Sequence, residues 1–287
     1  MSAEPINGVV VGYDGSEGSV RALDWAADAA RARDLPLTVL HAWDVYLGGP
    51  LAVPVIDVQA IAEETLNDGV EHVRKAAPEV RVRTALVRGQ AAAMLIDAAE
   101  TADLIVLGPR GLGGFAGLLL GSVGAQVAAH AACPVVIVRG GGPDEGARRV
   151  VVGVDGSPAS RAALKTAFAA ADARGLSVRA VVAWESVPVK ELPPLADEAG
   201  LRDAAERRLA GLMIPLRELH PGVDVETEVV AGAPRDVLME AAGDARLIVV
   251  GSRGLGGVRG LLLGSVSHAL VHHAPCTVAV VHAPRER

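Results

Sequence analysis

The sequence contains few aromatic residues and few cysteines. Phe, Trp and Tyr together make up 2% of the 287 residues, whereas hydrophobic residues as a class make up 51%. The core must therefore consist of Val, Leu, Ile and Ala rather than large rings, which favours layered packing of helices on a sheet. The two cysteines, Cys133 and Cys276, form neither a disulfide framework nor a CxxC site. This cysteine usage is consistent with a reducing compartment.

Charge and hydropathy argue against two further classes of protein. The formal net charge is −7, and the only lysines are Lys75, Lys165 and Lys190. Binding of duplex DNA or RNA needs concentrated Lys and Arg, so no nucleic-acid partner is expected. No apolar run approaches the roughly 18 residues of a membrane span, and the first residues, MSAEPINGVVVGYDGS, do not resemble a secretory signal. We therefore expect a cytoplasmic protein without a membrane span.

The chain is one unit used twice. VVVGYDGS at residues 9–16 recurs as VVVGVDGS at residues 150–157, and 16 of the 20 residues in 104–123 are identical to those in 247–266. A repeat of about 140 residues is too long for a solenoid and fits a duplicated domain. The sequence therefore predicts two domains joined by a short Gly-rich polar linker: residues 1–140, the linker 141–148, and residues 149–287.

Short β-branched runs alternate with alanine-rich stretches in each copy. This alternation predicts a parallel sheet covered by helices. Ser16 and Ser157, which precedes Pro158, are the expected N-caps of the first helix of each copy. In such open sheets, ligands bind at the carboxyl ends of the strands, where the strand order reverses. In the first copy we expect strands near residues 8–13, 37–41, 80–87, 104–107 and 135–138, and further helices near residues 57–77, 91–100 and 122–130.

A long glycine-rich loop follows the fourth predicted strand of each copy. It reads GPRGLGGFAGLLLGS at residues 108–122 and GSRGLGGVRGLLLGS at residues 251–265. Glycine has no Cβ, so it can adopt positive φ and lets backbone N–H groups approach a ligand. The closing Gly-Ser pair opens a predicted helix, whose free amides and positive dipole end favour phosphate. These features predict a cradle for a di- or triphosphate, although the glycine spacing alone accommodates several phosphorylated ligands.

Three other kinds of site are absent or incomplete in the sequence. The loop lacks the GxxxxGK[ST] pattern of a Walker P-loop, and neither copy of it contains a lysine. It is too long for a GxGxxG fingerprint and follows the fourth strand rather than the first. His268 and His272 have the i,i+4 spacing of metal ligands, but no nearby Cys or Asp completes a ligand set. We therefore predict no metal site at these histidines.

Together these motifs resemble those of the universal stress protein family, in a tandem arrangement of its ATP-binding class. The spacing Gly, two residues, Gly, nine residues, Gly-Ser occurs once in each copy, and each copy also carries a VGYDGS or VGVDGS segment. The resemblance covers nearly all of both halves. It implies a doubly wound, Rossmann-like α/β fold with a parallel five-stranded sheet of order 3-2-1-4-5 and helices on both faces in each domain. It also implies one ATP per domain, a divalent ion such as Mg on the phosphates, and a role in stress survival or growth control.

Carried over residue by residue, the resemblance implies a nucleotide site in each half and no catalytic residue. Asp14 and Asp155 match an aspartate that contacts the nucleoside end. Ala42 and Ala183 match a position whose backbone contacts adenine, where the family often has Val. The other cofactor-binding positions are strand-end glycines and residues of the long motif: Gly12, Gly108, Arg110, Gly111, Gly113, Gly121, Ser122 and Val123 in the first half, and Gly153, Gly251, Arg253, Gly254, Gly256, Gly264, Ser265, Val266 and Ser267 in the second.

Two of these positions have an alternative interpretation. Arg110 and Arg253 either pair with phosphate charge or face solvent, and the sequence does not distinguish these roles. Family members that do not bind ATP lack parts of the motif, whereas both halves of this chain retain it. We therefore predict two competent ATP sites per chain.

The partners and the kind of activity follow from the same resemblance. The apolar carboxyl-terminal strands near residues 134–138 and 277–281 are expected at sheet edges, and in the family this strand mediates dimer contacts. We expect the two domains to pair within the chain and two chains to form a homodimer. Three functions remain open: an ATP-dependent regulator, a slow ATPase or phosphotransferase, and an oligomerising scaffold with structural ATP. The loops offer no obvious base for phosphoryl transfer, so at most weak hydrolysis is expected.

Overall fold

The computed structural model of the chain describes residues 6–44, 57–112, 119–140, 147–185, 198–256 and 262–284. The chain divides into two compact units, Met1–Gly140 (unit 1) and Gly141–Arg287 (unit 2). Within the predicted linker, residues 141–146 lie outside the described ranges.

Unit 1 contains five strands and four helices in its described ranges, alternating along the chain. The strands are β1 (Val9–Gly12), β2 (Leu37–Trp43), β3 (Val82–Arg88), β4 (Leu104–Leu107) and β5 (Val135–Ile137). The helices are α1 (Glu17–Ala32), α2 (Val58–Ala76), α3 (Ala91–Ala98) and α4 (Ser122–His130). Neighbouring strands are parallel in the order β3-β2-β1-β4-β5. Helix α1 packs on α2 and α3 packs on α4. Right-handed crossovers in opposite directions from β1 place these two pairs on opposite faces of the sheet.

Unit 2 repeats this arrangement. Its strands are β6 (Arg149–Gly153), β7 (Ser177–Trp184), β8 (Val225–Ala231), β9 (Leu247–Gly251) and β10 (Thr277–Val281). Its helices are α5 (Pro158–Asp172), α6 (Glu198–Leu219), α7 (Pro234–Ala241) and α8 (Ser265–His273), with a short 3-10 helix at Ala242–Asp244. Neighbouring strands are parallel in the order β8-β7-β6-β9-β10. The doubly wound α/β fold with order 3-2-1-4-5 is thus confirmed in both units.

One predicted boundary shifts for a local reason. The strand expected near residues 80–87 begins at Val82, because the Val80 N–H donates to the Ala77 carbonyl (3.1 Å) in the turn that ends α2. A residue committed to that turn cannot also join the sheet. The remaining strands of unit 1 lie within two residues of their predicted positions.

The core of each unit consists of small and branched aliphatic side chains. Val9, Val10 and Val11 of β1 are completely buried, as are Ala22 and Ala26 on the facing side of α1. Alanine lets the helix backbone approach the sheet closely, and among the described residues few large rings are buried, Tyr13 in unit 1 and Phe168 in unit 2. The expectation of an aromatic-poor core is confirmed. None of the helices in the described ranges is both long and apolar enough to cross a bilayer.

The helices that border the carboxyl ends of the strands begin in two different ways. The predicted caps of α1 and α5 are confirmed: Ser16 Oγ accepts from the Ser19 N–H (3.2 Å), and Ser157 accepts likewise in unit 2. Helices α4 and α8 are instead preceded by Gly121 and Gly264 at the N-cap position, whose backbone is extended and which have no side chain to cap the helix. The first amides of α4 and α8 therefore receive no capping side chain from the residue before them.

Candidate functional site

In each unit, the aspartate after the first strand is hydrogen-bonded to the glycine-rich loop after the fourth strand. Asp14 Oδ2 accepts from the Leu112 N–H (2.9 Å), a partner 98 residues away. Asp155 Oδ2 accepts from the Leu255 N–H (2.8 Å), 100 residues away. The two loops meet because β1 pairs with β4, and β6 with β9, so their carboxyl ends lie side by side. Each unit thus forms one crevice from two distant segments.

The other carboxylate oxygen holds the start of the first helix. Asp14 Oδ1 accepts from the Ser16 N–H (3.1 Å) and from Ser16 Oγ (2.6 Å). Asp155 Oδ1 accepts from the Ser157 N–H (2.9 Å), and Ser157 Oγ also lies 3.3 Å from the Arg253 carbonyl oxygen. Each aspartate therefore ties the glycine-rich loop to the beginning of α1 or α5.

These hydrogen bonds determine the charge of the two aspartates. Burial is the largest single influence and raises the pKa of each carboxyl. Hydrogen bonds from the flanking serines and from the loop amide together outweigh it, so the pKa of Asp14 and that of Asp155 are lowered. Both groups are ionised at neutral pH. Oδ2 of each carboxylate accepts one of these hydrogen bonds, so its second lone pair can accept a further one from a ligand hydroxyl.

Several loop glycines are required by close approach to other backbone or carboxylate atoms. A Cβ on Gly111 would strike Asp14 Oδ2, and a Cβ on Gly254 would strike Asp155 Oδ2. A Cβ on Gly108 would lie 2.6 Å from backbone at the start of α1. No described glycine of the long loop after the fourth strand has positive φ, whereas Gly15 and Gly156 after the first strands do. The loop glycines are therefore needed for their missing side chain and not for a left-handed backbone.

The glycines at the helix starts have a different environment. The Gly121 N–H donates to the Pro109 carbonyl (2.8 Å) and the Gly264 N–H donates to the Ser252 carbonyl (2.8 Å), which closes each loop on itself. A Cβ on Gly264 would lie 3.5 Å from its nearest neighbour, Arg253 Cα, which is an ordinary contact. The protein itself therefore leaves room for a methyl group at this point.

Unit 2 contains a cavity of about 410 Å³ at the carboxyl ends of β6, β7 and β9 and the start of α8. Small-molecule sites typically have volumes of about 300 to 1,000 Å³. Among the described wall residues, the only ionisable side chains are Asp155 and Arg253. The wall brings together every position that the sequence analysis assigns in the second half: Gly153, Asp155, Ala183, Gly251, Arg253, Gly254, Gly256, Gly264, Ser265, Val266 and Ser267.

The assigned residues of unit 1 occupy the equivalent elements. The side chain of Arg110 is exposed, and its carbonyl lies 3.4 Å from Ser16 Oγ. Gly113 lies outside the described residues. The others lie at the strand ends, in the loop and at the helix start: Gly12 at the end of β1, Asp14 after it, Ala42 in β2, Gly108 and Gly111 after β4, and Gly121, Ser122 and Val123 where α4 begins.

One assigned residue holds the protein backbone with its hydroxyl. Ser267 Oγ is buried and lies 2.8 Å from the Ser252 carbonyl oxygen and 3.0 Å from that of Gly264. The hydroxyl is therefore engaged with the loop, so Ser267 positions the start of α8. Unit 1 has Gly124 at this position and cannot make the same bond.

Other residues that shape the site did not emerge from the sequence analysis. Ser19 and Ser160 donate their hydroxyls to the carbonyls of the capping serines at 2.8 and 3.0 Å. The repeated pattern Asp-Gly-Ser-x-x-Ser was a signal that pointed to them. Pro234 and Leu238 of α7 also line the unit 2 cavity, but they belong to no motif.

The described ranges contain no group of three His, Cys, Asp or Glu side chains placed to hold a metal ion. His268 and His272 stack on each other instead, with ring centroids 4.4 Å apart.

Comparison with known proteins gives matches over both halves of the chain. The sequence profile of the "Universal stress protein family" matches residues 6–139 and again residues 146–282. "Universal stress protein Rv2005c" of Mycobacterium tuberculosis is 37% identical over 289 residues, which cover 96% of each protein. A crystal structure of a universal stress protein from Archaeoglobus fulgidus covers 96% of each chain with a TM-score of 0.72 at 21% identity. A universal stress protein solved in complex with cAMP covers 47% of this chain and 99% of its own, at 33% identity and a TM-score of 0.38.

Proposed function

The chain belongs to the universal stress protein family, and from that premise we propose that it is an ATP-binding regulator with one nucleotide site in each unit. The observation that carries the proposal is the crevice in which an ionised aspartate and an uncapped helix start face the same space. A carboxylate suits sugar hydroxyls and a helix start suits phosphate, so the two ends of the crevice match the two ends of a nucleotide.

The start of α8 supplies the phosphate end in unit 2. The amides of Ser265, Val266 and Ser267 occupy the first three helical positions and have no acceptor within the helix. They line the cavity together with Gly264, whose missing Cβ leaves the approach open. The positive end of the helix dipole favours a bound anion. Arg253, exposed in the same wall, adds a positive charge that a phosphate oxygen can pair with.

The nucleoside end lies beside Asp155. Ala183, Pro234 and Leu238 line this part of the cavity and offer apolar surface against which a flat ring can be buried. The carboxylate already accepts loop and helix amides, and its remaining lone pairs are suited to ribose hydroxyls. The choice of adenine rests on the family resemblance, in which the backbone at Ala42 and Ala183 contacts the base.

A divalent ion fits this site only as a companion of the phosphates. The unit 2 wall has one carboxylate among its described residues, and both oxygens of that carboxylate hold backbone amides. Mg²⁺ commonly keeps several waters and binds phosphate oxygens, so this protein environment is compatible with a bound Mg–ATP.

We propose regulation rather than rapid turnover. Phosphoryl transfer requires charge neutralisation around the γ-phosphate and a residue that orients the attacking water. The described wall of unit 2 supplies amides, hydroxyls and Arg253, and its one carboxylate is already tied to the loop. Slow hydrolysis and a scaffold with structural ATP are the alternatives that an experiment must separate.

The first experiment is to denature freshly purified protein and to identify and count the released nucleotide by chromatography. About two ATP per chain supports the proposal, whereas ADP favours slow hydrolysis. If no nucleotide is released, calorimetric titration with ATP, ADP and cAMP in the presence of Mg²⁺ follows. Failure of all three to bind would refute a nucleotide function. An assay of ATP turnover then distinguishes a slow ATPase from the other two functions. Partner binding measured with and without ATP distinguishes a regulator from a scaffold.

The same proposal includes residues 1–140 and 149–287 as separate ATP-binding domains, a cytoplasmic location and a homodimer. Cell fractionation tests the location. Light scattering coupled to size exclusion tests the oligomeric state, with a mass of one chain as the outcome that rejects the homodimer.

A further inference from the structure

The two units differ in the space between the end of the first strand and the second helix. In unit 1 this space is filled by the buried side chain of Tyr13. Its ring lies against Gly69 of α2, and a Cβ added to Gly69 would be 2.7 Å from the ring. In unit 2 the equivalent residue is Val154, and a second cavity of about 240 Å³ lies beneath α6. Among their described wall residues, this second cavity and the nucleotide cavity share only Val154 and Asp155.

Matched positions explain why the second cavity is present in unit 2. At three positions around the cavity the side chain of unit 2 is smaller: Tyr13 becomes Val154, His41 becomes Val182 and Ile61 becomes Ala204. At two positions it is larger, because Leu212 stands where unit 1 has Gly69 and Arg208 where unit 1 has Thr65. Leu212 and Arg208 line the cavity without filling it.

Arg208 is the one cation among the described residues that line this second cavity. Arg208 is exposed, and its Nη2 lies 3.0 Å from where a Cβ on Gly156 would be. The equivalent residue of unit 1 is Thr65. Its Cγ2 lies over Gly15, 3.6 Å from where a Cβ on Gly15 would be. Within the described ranges Arg208 makes no ion pair or hydrogen bond. Its planar guanidinium is therefore available to a ligand, and such a group pairs preferentially with a carboxylate or phosphate.

Apart from Asp155, the other described side chains that line this cavity are apolar. Val154, Val182, Leu209 and Leu212 are aliphatic, so a polar ligand in contact with them would lose its hydrogen bonds to water without replacement. Asp155 also borders this cavity, but its oxygens bind the amides of the loop and of the capping serine. An anionic head therefore belongs at the Arg208 end of the cavity.

We propose that the second cavity is a binding site for a short aliphatic carboxylate, with the chain against the valines and leucines and the head paired with Arg208. The volume is below that of most drug-sized sites, which favours a short chain. This site does not depend on the nucleotide proposal, because its ligand contacts α6 and β7 rather than the glycine-rich loop.

The test is calorimetric titration of nucleotide-free full-length protein with sodium octanoate. We expect saturable binding with one site per chain. Ala204→Ile, which restores the larger residue of unit 1 at the rim, should weaken binding at least about tenfold. Val154→Tyr should do the same, and circular dichroism must show that it folds, because Leu212 occupies the place where Gly69 receives the ring.

A charge-matched pair of variants tests the role of Arg208. Arg208→Gln should weaken octanoate binding about fivefold, the size expected for an ion pair at an exposed rim, and should leave 1-octanol binding unchanged. Arg207→Gln removes an exposed neighbouring charge that does not line the cavity, and should leave octanoate binding unchanged.

Four outcomes would overturn this inference. The first is octanoate binding that does not saturate in the native protein. The second is a folded Ala204→Ile variant with native affinity, and the third is an equal effect of Arg208→Gln and Arg207→Gln. The fourth is displacement of octanoate at saturating ATP, which would assign the cavity to the nucleotide. Failure of ATP to bind would leave the octanoate result standing.

Discussion

Replacing Gly264 by alanine should weaken nucleotide binding in unit 2 while the unit stays folded. The backbone of Gly264 has φ −72° and ψ 162°, which alanine adopts without strain. Among the described residues, and apart from its two chain neighbours, the added Cβ would meet no atom closer than 3.5 Å. The methyl group would instead occupy the entrance to the amides of Ser265 and Val266. The substitution therefore acts on the ligand rather than on the protein.

The expected changes in affinity and in stability have separate causes. Loss of one hydrogen bond to a charged phosphate costs about 1.5 to 3 kcal/mol, or about 10- to 100-fold in Kd. For folding, alanine is a poorer N-cap than glycine, but it also lowers the entropy of the unfolded chain. These two terms nearly cancel, so the free energy of unfolding should change by less than about 1 kcal/mol and Tm by less than about 4 °C.

Calorimetric titration with Mg–ATP measures the affinity and the number of sites. Gly264→Ala should retain one native site, in unit 1, and Gly121→Ala should retain one in unit 2. Gly211→Ala is the matched control. Gly211 lies in α6 and lines neither cavity, and a Cβ added to it would have no described neighbour within 4 Å. Two native sites in folded Gly264→Ala would refute the assignment of the phosphate cradle.

A neighbouring glycine provides a contrasting case. Gly254→Ala places its Cβ against Asp155 Oδ2, where no space exists. This substitution should break the bond between Asp155 and Leu255 and lower both the affinity for nucleotide and the thermal stability of unit 2. A native melting temperature for this variant would mean that the loop is not held by the aspartate.

Three further predictions concern stability and reactivity. Thr38 Oγ1 is buried and lacks a hydrogen-bond partner in the described ranges, so Thr38→Val should raise the free energy of unfolding in urea by about 1 kcal/mol, whereas the exposed-site variant Thr84→Val should change it little. The pKa of Asp14 and that of Asp155 lie below the ordinary 3.8, so their contribution to stability is present at neutral pH and is lost as the pH falls below 3.8 through the folded-state pKa. Urea midpoints of the double Asp→Asn variant should therefore depend less on acid, and an unchanged dependence contradicts this account. Burial raises the pKa of the Cys133 thiol to about 12, so Ellman's reagent should label it only after unfolding, and rapid labelling of the native protein would argue against that burial.

The duplication and the starts of the helices could be predicted from the residues themselves, whereas the strand order was implied only by the resemblance to a known family. Alternating β-branched and alanine-rich runs determine which segments become strands and helices. The serine caps depend on a hydroxyl and an amide three residues apart, as Ser16 and Ser157 show. The glycine spacing in two copies indicated the loop and its place in the chain.

The roles of individual site residues could be predicted only in part. Position in a motif placed Ser267 among the cofactor-binding residues, but its hydroxyl binds the carbonyls of Ser252 and Gly264. The loop glycines were attributed in part to positive φ. At Gly111 and Gly254, however, glycine is needed because a carboxylate lies where a Cβ would be. A sequence shows that a side chain is missing, but not which atom fills the space it leaves.

The sequence by itself determined that the chain contains two copies of one α/β unit, each with a glycine-rich loop after its fourth strand. Only the tertiary structure decided that Asp14 and Asp155 hold those loops, since the bonded residues are 98 and 100 positions apart and meet through pairing of strands. It also decided that the two units differ beneath the second helix, where Val154 leaves a cavity that Tyr13 fills. Local propensity acts over a few residues, whereas contacts of this kind depend on the volumes of side chains brought together by packing of the whole unit.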